Sequence, residues 1–224
     1  MEAVYQSTDM LAGAATADVL RLLQEAASQH QTALGLGREE MRRRGLLWMI
    51  ASQKLTFARQ PVCGESVTVT TWLSQQRHGM YLRHYEISGT DGGLICRAAA
   101  VWTLTDAKNR TQVQMPFSVP LSQKVGQLPR FPLLRPMETE REFSFTVPAA
   151  YLDENDHMNN ACYFDMAASI LPQGGSLQTA QVDYHLEARG GECLTIGSAL
   201  QGKNLLVQGY SARGLCFRMK LEYA

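Results

Sequence analysis

The sequence predicts an α+β fold in which one unit, a helix followed by an antiparallel sheet, occurs twice in tandem. Three observations carry this expectation. The apolar pattern runs from a helical period into alternating strands, breaks at a proline cluster, and then repeats in the same order. Short strings recur at matching steps: Ala58-Arg59 with Ala188-Arg189, Gly64-Glu-Ser-Val-Thr-Val69 with Gly191-Glu-Cys-Leu-Thr-Ile196, and Gly93-Leu-Ile-Cys-Arg97 with Gly214-Leu-Cys-Phe-Arg218. The 224 residues, 45% hydrophobic and 19% charged, supply enough apolar material for a sizeable core.

From Thr16, read as an N-cap, to Leu34, the residues Val19, Leu20, Leu22, Leu23, Ala26, Ala27 and Ala33 mark the buried face of a helix that Gly35 and Gly37 stop. Strands follow at Leu46 to Phe57, at Ser66 to Leu73, where Val67, Val69, Thr71 and Leu73 alternate, and at Met80 to Ser88. The turn Gly89-Thr-Asp-Gly-Gly93 leads into a strand from Leu94 to Leu104. Pro116, Pro120, Pro129, Pro132 and Pro136 crowd a stretch that neither helix nor sheet tolerates, so it reads as a linker. Beyond it come a short strand from Glu142 to Val147, a helix from Asn159 to Leu171 ended by Pro172, and strands at 177–187, 193–200, 204–210 and 215–223. The expected division is a first unit at 1–115, the linker at 116–136 and a second unit at 137–224.

Lys plus Arg and Asp plus Glu balance at 21 each, which removes the electrostatic argument for nucleic acid or an anionic membrane as partner. The five cysteines, Cys63, Cys96, Cys162, Cys193 and Cys216, are odd in number and widely spaced, and read as reduced. The N-terminus lacks a basic leader and no apolar run is long enough to span a membrane, so the cytoplasm is the expected location.

The residues that point to chemistry lie at 153–163. Asp153, Asn155 and His157 alternate, so in an extended loop an acid, an amide and an imidazole face one side and can meet on a single substrate atom. Asn159 and Asn160 then open the expected helix, whose first amides could stabilise an oxyanion. The competing reading is an Asx turn with a helix cap. Glu187, at the end of a strand, is set against Phe57 by the Ala-Arg pairs that follow both; a carboxylate at a site compatible with burial could hold or deprotonate a water. The first half has no Asp-x-Asn-x-His string, so one reactive site per chain is expected, in the second half. His185 should face away from Glu187, and His30, His78 and His84 lack partners at ligand spacing. No metal or cofactor motif, nucleophile elbow or phosphate loop is present, and Cys162 reads as packing. Arg42-Arg43-Arg44, beside Trp48, is the densest basic patch in a neutral chain and the candidate for docking an acidic carrier.

These strings resemble the acyl-acyl-carrier-protein thioesterases of plants and bacteria, which are tandem hotdog units. The family signature D-x-N-x-H-x-N-N-x-x-Y is met by Asp153, Asn155, His157, Asn159, Asn160 and Tyr163, and its E-Y-R-R-E-C-G strand is echoed by Asp183-Tyr-His-Leu-Glu187-Ala-Arg-Gly190. Leu23-Gln-Glu-Ala26 with His30, Leu47-Trp48, Gly64-Glu65, Thr71-Trp72 and Arg97-Ala-Ala-Ala-Val-Trp102 follow the family in order. The resemblance implies two sheets, each wrapped around a long helix. It also implies hydrolysis of a fatty acyl thioester of acyl carrier protein, which ends chain elongation and needs no cofactor. Asp153, Asn155, His157 and Glu187 would be catalytic, and Trp48, Asn159, Asn160 and Tyr163 would bind substrate, with the acyl chain held by the first unit. Two departures stand out: Ala188 replaces the family cysteine, and Met166 replaces a tryptophan. The absence of a transit peptide and the short loops fit a bacterial member, or a plastid one already trimmed. Paired units within one chain fit a monomer or a homodimer. Rival readings are an acyl-CoA thioesterase, a non-catalytic hotdog that binds acyl thioesters, and, further off, a dehydratase.

Overall fold

The computed structural model describes residues 4–13, 15–114, 116, 118–124, 126, 128, 131–170 and 176–224; the expected helix end at Leu171 and Pro172, and Pro129 of the proline cluster, lie outside them. The first half holds strand β1 (Val4–Met10), helices α1 (Thr16–Ala33) and α2 (Arg38–Arg43), and strands β2 (Leu46–Phe57), β3 (Ser66–Arg77), β4 (Met80–Gly89), β5 (Leu94–Asp106) and β6 (Gln112–Val113). The second holds β7 (Arg141–Thr146), a 3-10 turn at Ala149–Tyr151, α3 (Cys162–Ala168), β8 (Leu177–Tyr184), β9 (Cys193–Gln201), β10 (Asn204–Ser211) and β11 (Gly214–Tyr223).

Helix α1 forms where the apolar period predicts it, but its cap is Ala15, whose N–H donates to the Asp18 carboxylate at 3.2 Å; Thr16 already lies in the first turn. It ends where Gly35 takes φ +70°, a conformation that costs glycine little. Its face of Ala17, Val19, Leu20, Leu23, Ala26 and Ala27 is almost completely buried against the sheet. Each large aliphatic side chain removed from water in this way contributes about 1.5–3 kcal/mol, far more than helix propensity supplies.

All ladders are antiparallel, and the strand order β1-β3-β4-β5-β2-β8-β11-β10-β9-β7 is the same sequence of roles read inward from both ends. The two halves join at β2 and β8, where Ser52 faces Asp183, Lys54 faces Gln181 and Thr56 faces Thr179. If Phe57 corresponds to Tyr184, then Ser52 corresponds to Thr179 and Thr56 to Asp183. The pair Ser52·Asp183 then maps onto Thr179·Thr56, which is observed, while Lys54·Gln181 maps onto itself. The seam is therefore a pseudo-dyad, and the sheet is a double hotdog built from two structural copies.

This correspondence corrects the one read from the letters. Phe57 pairs with Cys96 and Tyr184 with Phe217, and those partners occupy matching places in the recurring Gly-Leu strings. The following residues agree: Ala58 N–H donates to Ile95 O and His185 N–H to Cys216 O, and Glu65 and Glu192 close the same turn onto Val62 O and Arg189 O. Gly64 and Gly191 share a positive φ. Phe57 thus matches Tyr184, and Glu187 matches Gln60. The Ala-Arg pairs mislead because they are offset by three residues between the two halves.

Other expectations are adjusted. Strand β8 stops at Tyr184, so Glu187 lies in the loop beyond it and not in the strand. The second helix is only the seven residues Cys162–Ala168, not the long helix from Asn159, because Asn159 and Asn160 are spent on the preceding turn. Strand β1 is an edge whose residues are mostly exposed, which leaves little apolar alternation to read. The basic run Arg42-Arg43-Arg44 lies in part in helix α2, an element with no counterpart in the sequence reading. The proline-rich segment lies across both halves: Ser122 N–H donates to Leu73 O at 2.7 Å, Trp72 Nε1 to Lys124 O at 2.9 Å, and Gln181 Nε2 to Pro132 O at 2.8 Å.

Candidate active site

The segment Asp153–His157 is a tight turn and not an extended strand. Asp153 N–H donates to His157 O at 2.8 Å, and its Oδ1 accepts the amides of Asn155 at 2.8 Å and His157 at 3.3 Å. Asp156 takes φ +61°, which lets the turn close. The Asx reading therefore describes Asp153, whose Oδ2 stands 3.5 Å from Asn155 Nδ2. The alternation brings the three residues together through this turn around one carboxylate, rather than along an extended face.

The turn is stitched to the loop after β8 by Met158 N–H to Ala188 O, 2.8 Å, and by a bridge between His157 and Arg189. That contact places His157 Nε2 2.9 Å from Glu187 Oε2, with both side chains largely withdrawn from solvent. Burial pushes the Glu187 carboxyl up, but the hydrogen bond and charge of His157, with Arg110 and Arg189, outweigh it and hold the group below the usual carboxylate range. Glu187 Oε2 takes the His157 bond, while its buried Oε1 has no hydrogen bond and lies 3.5 Å from Arg110 Nη1.

Asn155, His157 and Glu187 line a cavity of about 710 Å³ whose other wall comes from the first half, including Trp48, Ile50 and Trp102. Trp48 is fixed by Nε1–H to Leu36 O at 3.2 Å and by edge contacts to Tyr81 and Trp102. Asn160 and Tyr163 border the same space, and the Asn160 backbone carbonyl and the Tyr163 hydroxyl serve the frame: Tyr184 Oη donates to Asn160 O at 3.1 Å, and Tyr163 Oη accepts Ala188 N–H at 3.4 Å. Tyr163 is buried between Tyr184 and Phe217, and that burial raises its phenol. Asn159 also borders the cavity; its Oδ1 accepts Ala161 N–H and its carbonyl accepts Cys162 N–H. Two of the helix-start amides expected to hold an oxyanion, those of Ala161 and Cys162, are thus already occupied. Burial raises the Cys162 thiol, in keeping with packing.

The arginines are distributed differently from the sequence reading. Arg42 turns toward the motif, with Nη2 donating to Glu154 O at 3.2 Å and Asn155 Oδ1 at 3.3 Å, while Arg43 and Arg44 pair with Glu40. Arg110 and Arg213 were not singled out by sequence. Arg213 Nη2 donates to the Glu187 carbonyl at 2.6 Å and its guanidinium pairs with Glu192. No letter pattern connects position 110 to 187; only the turn signals at Asp106 and Asn109 hint that this segment is fixed.

The fold and the site together define a double-hotdog protein whose cavity is shared by both copies and whose acid–imidazole pair comes from the second. Residues 1–119 match the N-terminal domain of acyl-ACP thioesterases and residues 134–213 match their C-terminal domain, so the chain belongs to the acyl-ACP thioesterase family. A chloroplastic acyl-acyl-carrier-protein hydrolase of Cuphea viscosissima is 27% identical over 172 residues, covering 69% of this chain and 42% of its own length. A palmitoyl-acyl carrier protein thioesterase of Arabidopsis thaliana is 25% identical over 82% of this chain and 50% of its own. The chain thus spans half or less of the length of these curated relatives. Among solved structures, an acyl-ACP thioesterase of Bacteroides thetaiotaomicron superposes with a TM-score of 0.91 at 15% identity, covering 99% of this chain and 98% of that one. The 12:0-ACP thioesterase of Umbellularia californica gives 0.83 at 17%, covering 100% and 98%.

Proposed function

We propose that the chain hydrolyses fatty acyl thioesters of acyl carrier protein, releasing the free acid and the carrier thiol. The observation that carries this reading is the 2.9 Å pair of His157 Nε2 and Glu187 Oε2 inside a cavity lined by apolar residues of the first half. Asn155 Nδ2–H donates to the thioester carbonyl as it becomes an oxyanion. A water in the cavity beside the Glu187–His157 pair loses its proton to the carboxylate and attacks the carbonyl carbon. The carbon–sulfur bond then breaks, and His157 passes a proton to the departing thiolate. Asp153 fits the role of orienting the turn better than that of nucleophile, because its Oδ1 is committed to two backbone amides.

In this reading residues 1–115 hold the acyl chain, with Trp48 in the cavity wall; 116–136 is the linker, and 137–224 provides the acid, base and amide. Asn159, Asn160 and Tyr163 shape the substrate space by holding its frame. Arg43, more exposed than Arg44, together with Arg44 and the rest of α2, is the surface offered to the acidic carrier. The reading places the protein where fatty acids are elongated on a carrier, the bacterial cytoplasm or a plastid stroma, and the five cysteines are all unpaired.

Glu187→Gln and His157→Ala should each lower kcat by roughly 10²–10⁴-fold on a purified acyl-ACP while leaving the melting temperature near wild type. Near-normal turnover in both folded variants would overturn the assignment. Presenting one acyl chain on acyl carrier protein and on CoA separates the carrier-protein enzyme from an acyl-CoA thioesterase. Fatty acids released by a bacterial host expressing the protein, read by mass spectrometry, report the chain length.

A further inference from the structure

We propose that the first unit supplies two positioning arginines to the second unit's reactive groups, Arg110 to Glu187 and Arg42 to Asn155, so that the chemistry is assembled across both units. This rests on the hydrolytic reading above, and the geometry is specific. Arg110 Nη1 lies 3.5 Å from Glu187 Oε1, the oxygen left over when Oε2 bonds His157. Arg42 Nη2 lies 3.3 Å from Asn155 Oδ1. Guanidinium nitrogens only donate, so the atom facing Arg42 is the amide oxygen, and Nδ2, with one hydrogen toward Asp153 Oδ2 at 3.5 Å, keeps the other for a substrate carbonyl. That is the orientation needed to polarise a carbonyl.

The two arginines stand on segments tied to each other. The turn after β5 is closed by Asp106, whose Oδ1 accepts the amides of Lys108 and Asn109 at 2.9 and 3.0 Å and whose carbonyl accepts Arg110 N–H at 3.0 Å. Arg110 itself takes φ +59°, and Ala107 N–H donates at 2.8 Å to Gly45 O, just beyond α2. One side of the cavity is therefore a small braced frame with a guanidinium at each end. Around Glu187 the other charged or titratable neighbours are His157 and Arg189 on its own side, Arg213 from the turn before β11, and the buried Tyr163 phenol. Arg213 is committed to Glu192 and to the Glu187 carbonyl, and His157 is hydrogen-bonded to Oε2, so Arg110 is the cation that faces Oε1, the buried oxygen without a hydrogen bond. An opposite charge at that distance favours the ionised carboxylate, which is the form that accepts a proton from water.

The test measures kcat, KM and pH profiles for Arg110→Gln, Arg110→Lys and Arg42→Gln with a dodecanoyl chain presented on acyl carrier protein and on pantetheine. Arg110→Gln is expected to lower kcat roughly 10- to 100-fold on both carriers and to move the acidic limb of kcat/KM to higher pH, with Arg110→Lys restoring the limb. Arg42→Gln is expected to lower kcat on both carriers with the limb in place. A change confined to KM for the carrier-protein substrate would instead make Arg42 a docking residue and overturn its half of the proposal. If Glu187→Gln is inactive while Arg110→Gln keeps both the kcat and the acidic limb of the wild type, the positioning role of Arg110 fails and the hydrolytic reading stands. If Glu187→Gln stays active, the hydrolytic reading fails first.

Discussion

Asp153 accepts two backbone amides with one oxygen, an arrangement that favours the orienting role proposed above over attack on the thioester. A carboxylate holding a turn together loses its purpose if it swings out to attack. A single turnover in ¹⁸O-water should therefore place label in the released acid and none in the protein; label recovered in the Asp153 carboxylate would establish covalent attack. A second residue, His30, makes a stability prediction. It is buried beside Arg83, accepting Nη1–H at 2.9 Å, and burial together with that charge brings its pKa down to about 4. The unfolded chain therefore binds the proton more readily than the folded one between the ordinary histidine value near 6.5 and about 4. Stability from this site is complete above that window and declines as pH falls through it. The melting temperature of His30→Gln should fall less steeply across the window than that of wild type; parallel curves would show that His30 does not control it.

At the scale of elements, helix α1 depends on its packed face. Leu23→Ala, at a fully buried position, should cost about 2–5 kcal/mol in denaturant unfolding, with most of the loss from the cavity left against the sheet. An effect below about 1 kcal/mol would mean that the helix is held by something other than this contact. The same face explains why α1 and the long strands were legible in the sequence. Their burial period is imposed by one face packed on the core, and residues such as Val67, Val69 and Leu73 repeat it. Where an element is exposed or short, as in β1 and α2, no such period exists, and both went unread. The site was legible only in its local part. Asp153, Asn155 and His157 lie within one turn, whereas the positions of Arg110 and Arg42 are set by contacts between segments far apart in sequence. Glu187 was singled out by a comparison with Phe57 that the strand register replaces with Gln60. The corrected contrast is sharper: the first copy carries an amide, whose Nε2–H is bonded to Leu177 O, where the second carries a carboxylate. An amide at that place cannot take a proton from water.

For the whole molecule, the central ladder between β2 and β8 determines whether the halves are partners or passengers. Gln53→Pro removes a backbone donor in the middle of this ladder. It should abolish hydrolysis together with cooperative unfolding; a variant that melts in one transition and keeps its activity would show that the seam is dispensable. The reactive groups depend on this seam too, since the carboxylate–imidazole pair and the aromatic wall of the cavity come from opposite sides of it.

The pseudo-dyad at Lys54·Gln181 bears on how the chain could be cut. Its two halves meet through backbone pairing at the centre of the sheet, while the peptide connecting them lies across the outside, held by bonds such as Ser122 to Leu73 and Gln181 to Pro132. Continuity of the polypeptide and continuity of the sheet are therefore supplied by different atoms. Separate fragments ending and beginning within 118–124 should find each other through the exposed edges of β2 and β8. The fold is a natural frame for fragment complementation, in which recovered hydrolysis reports that two chains have met.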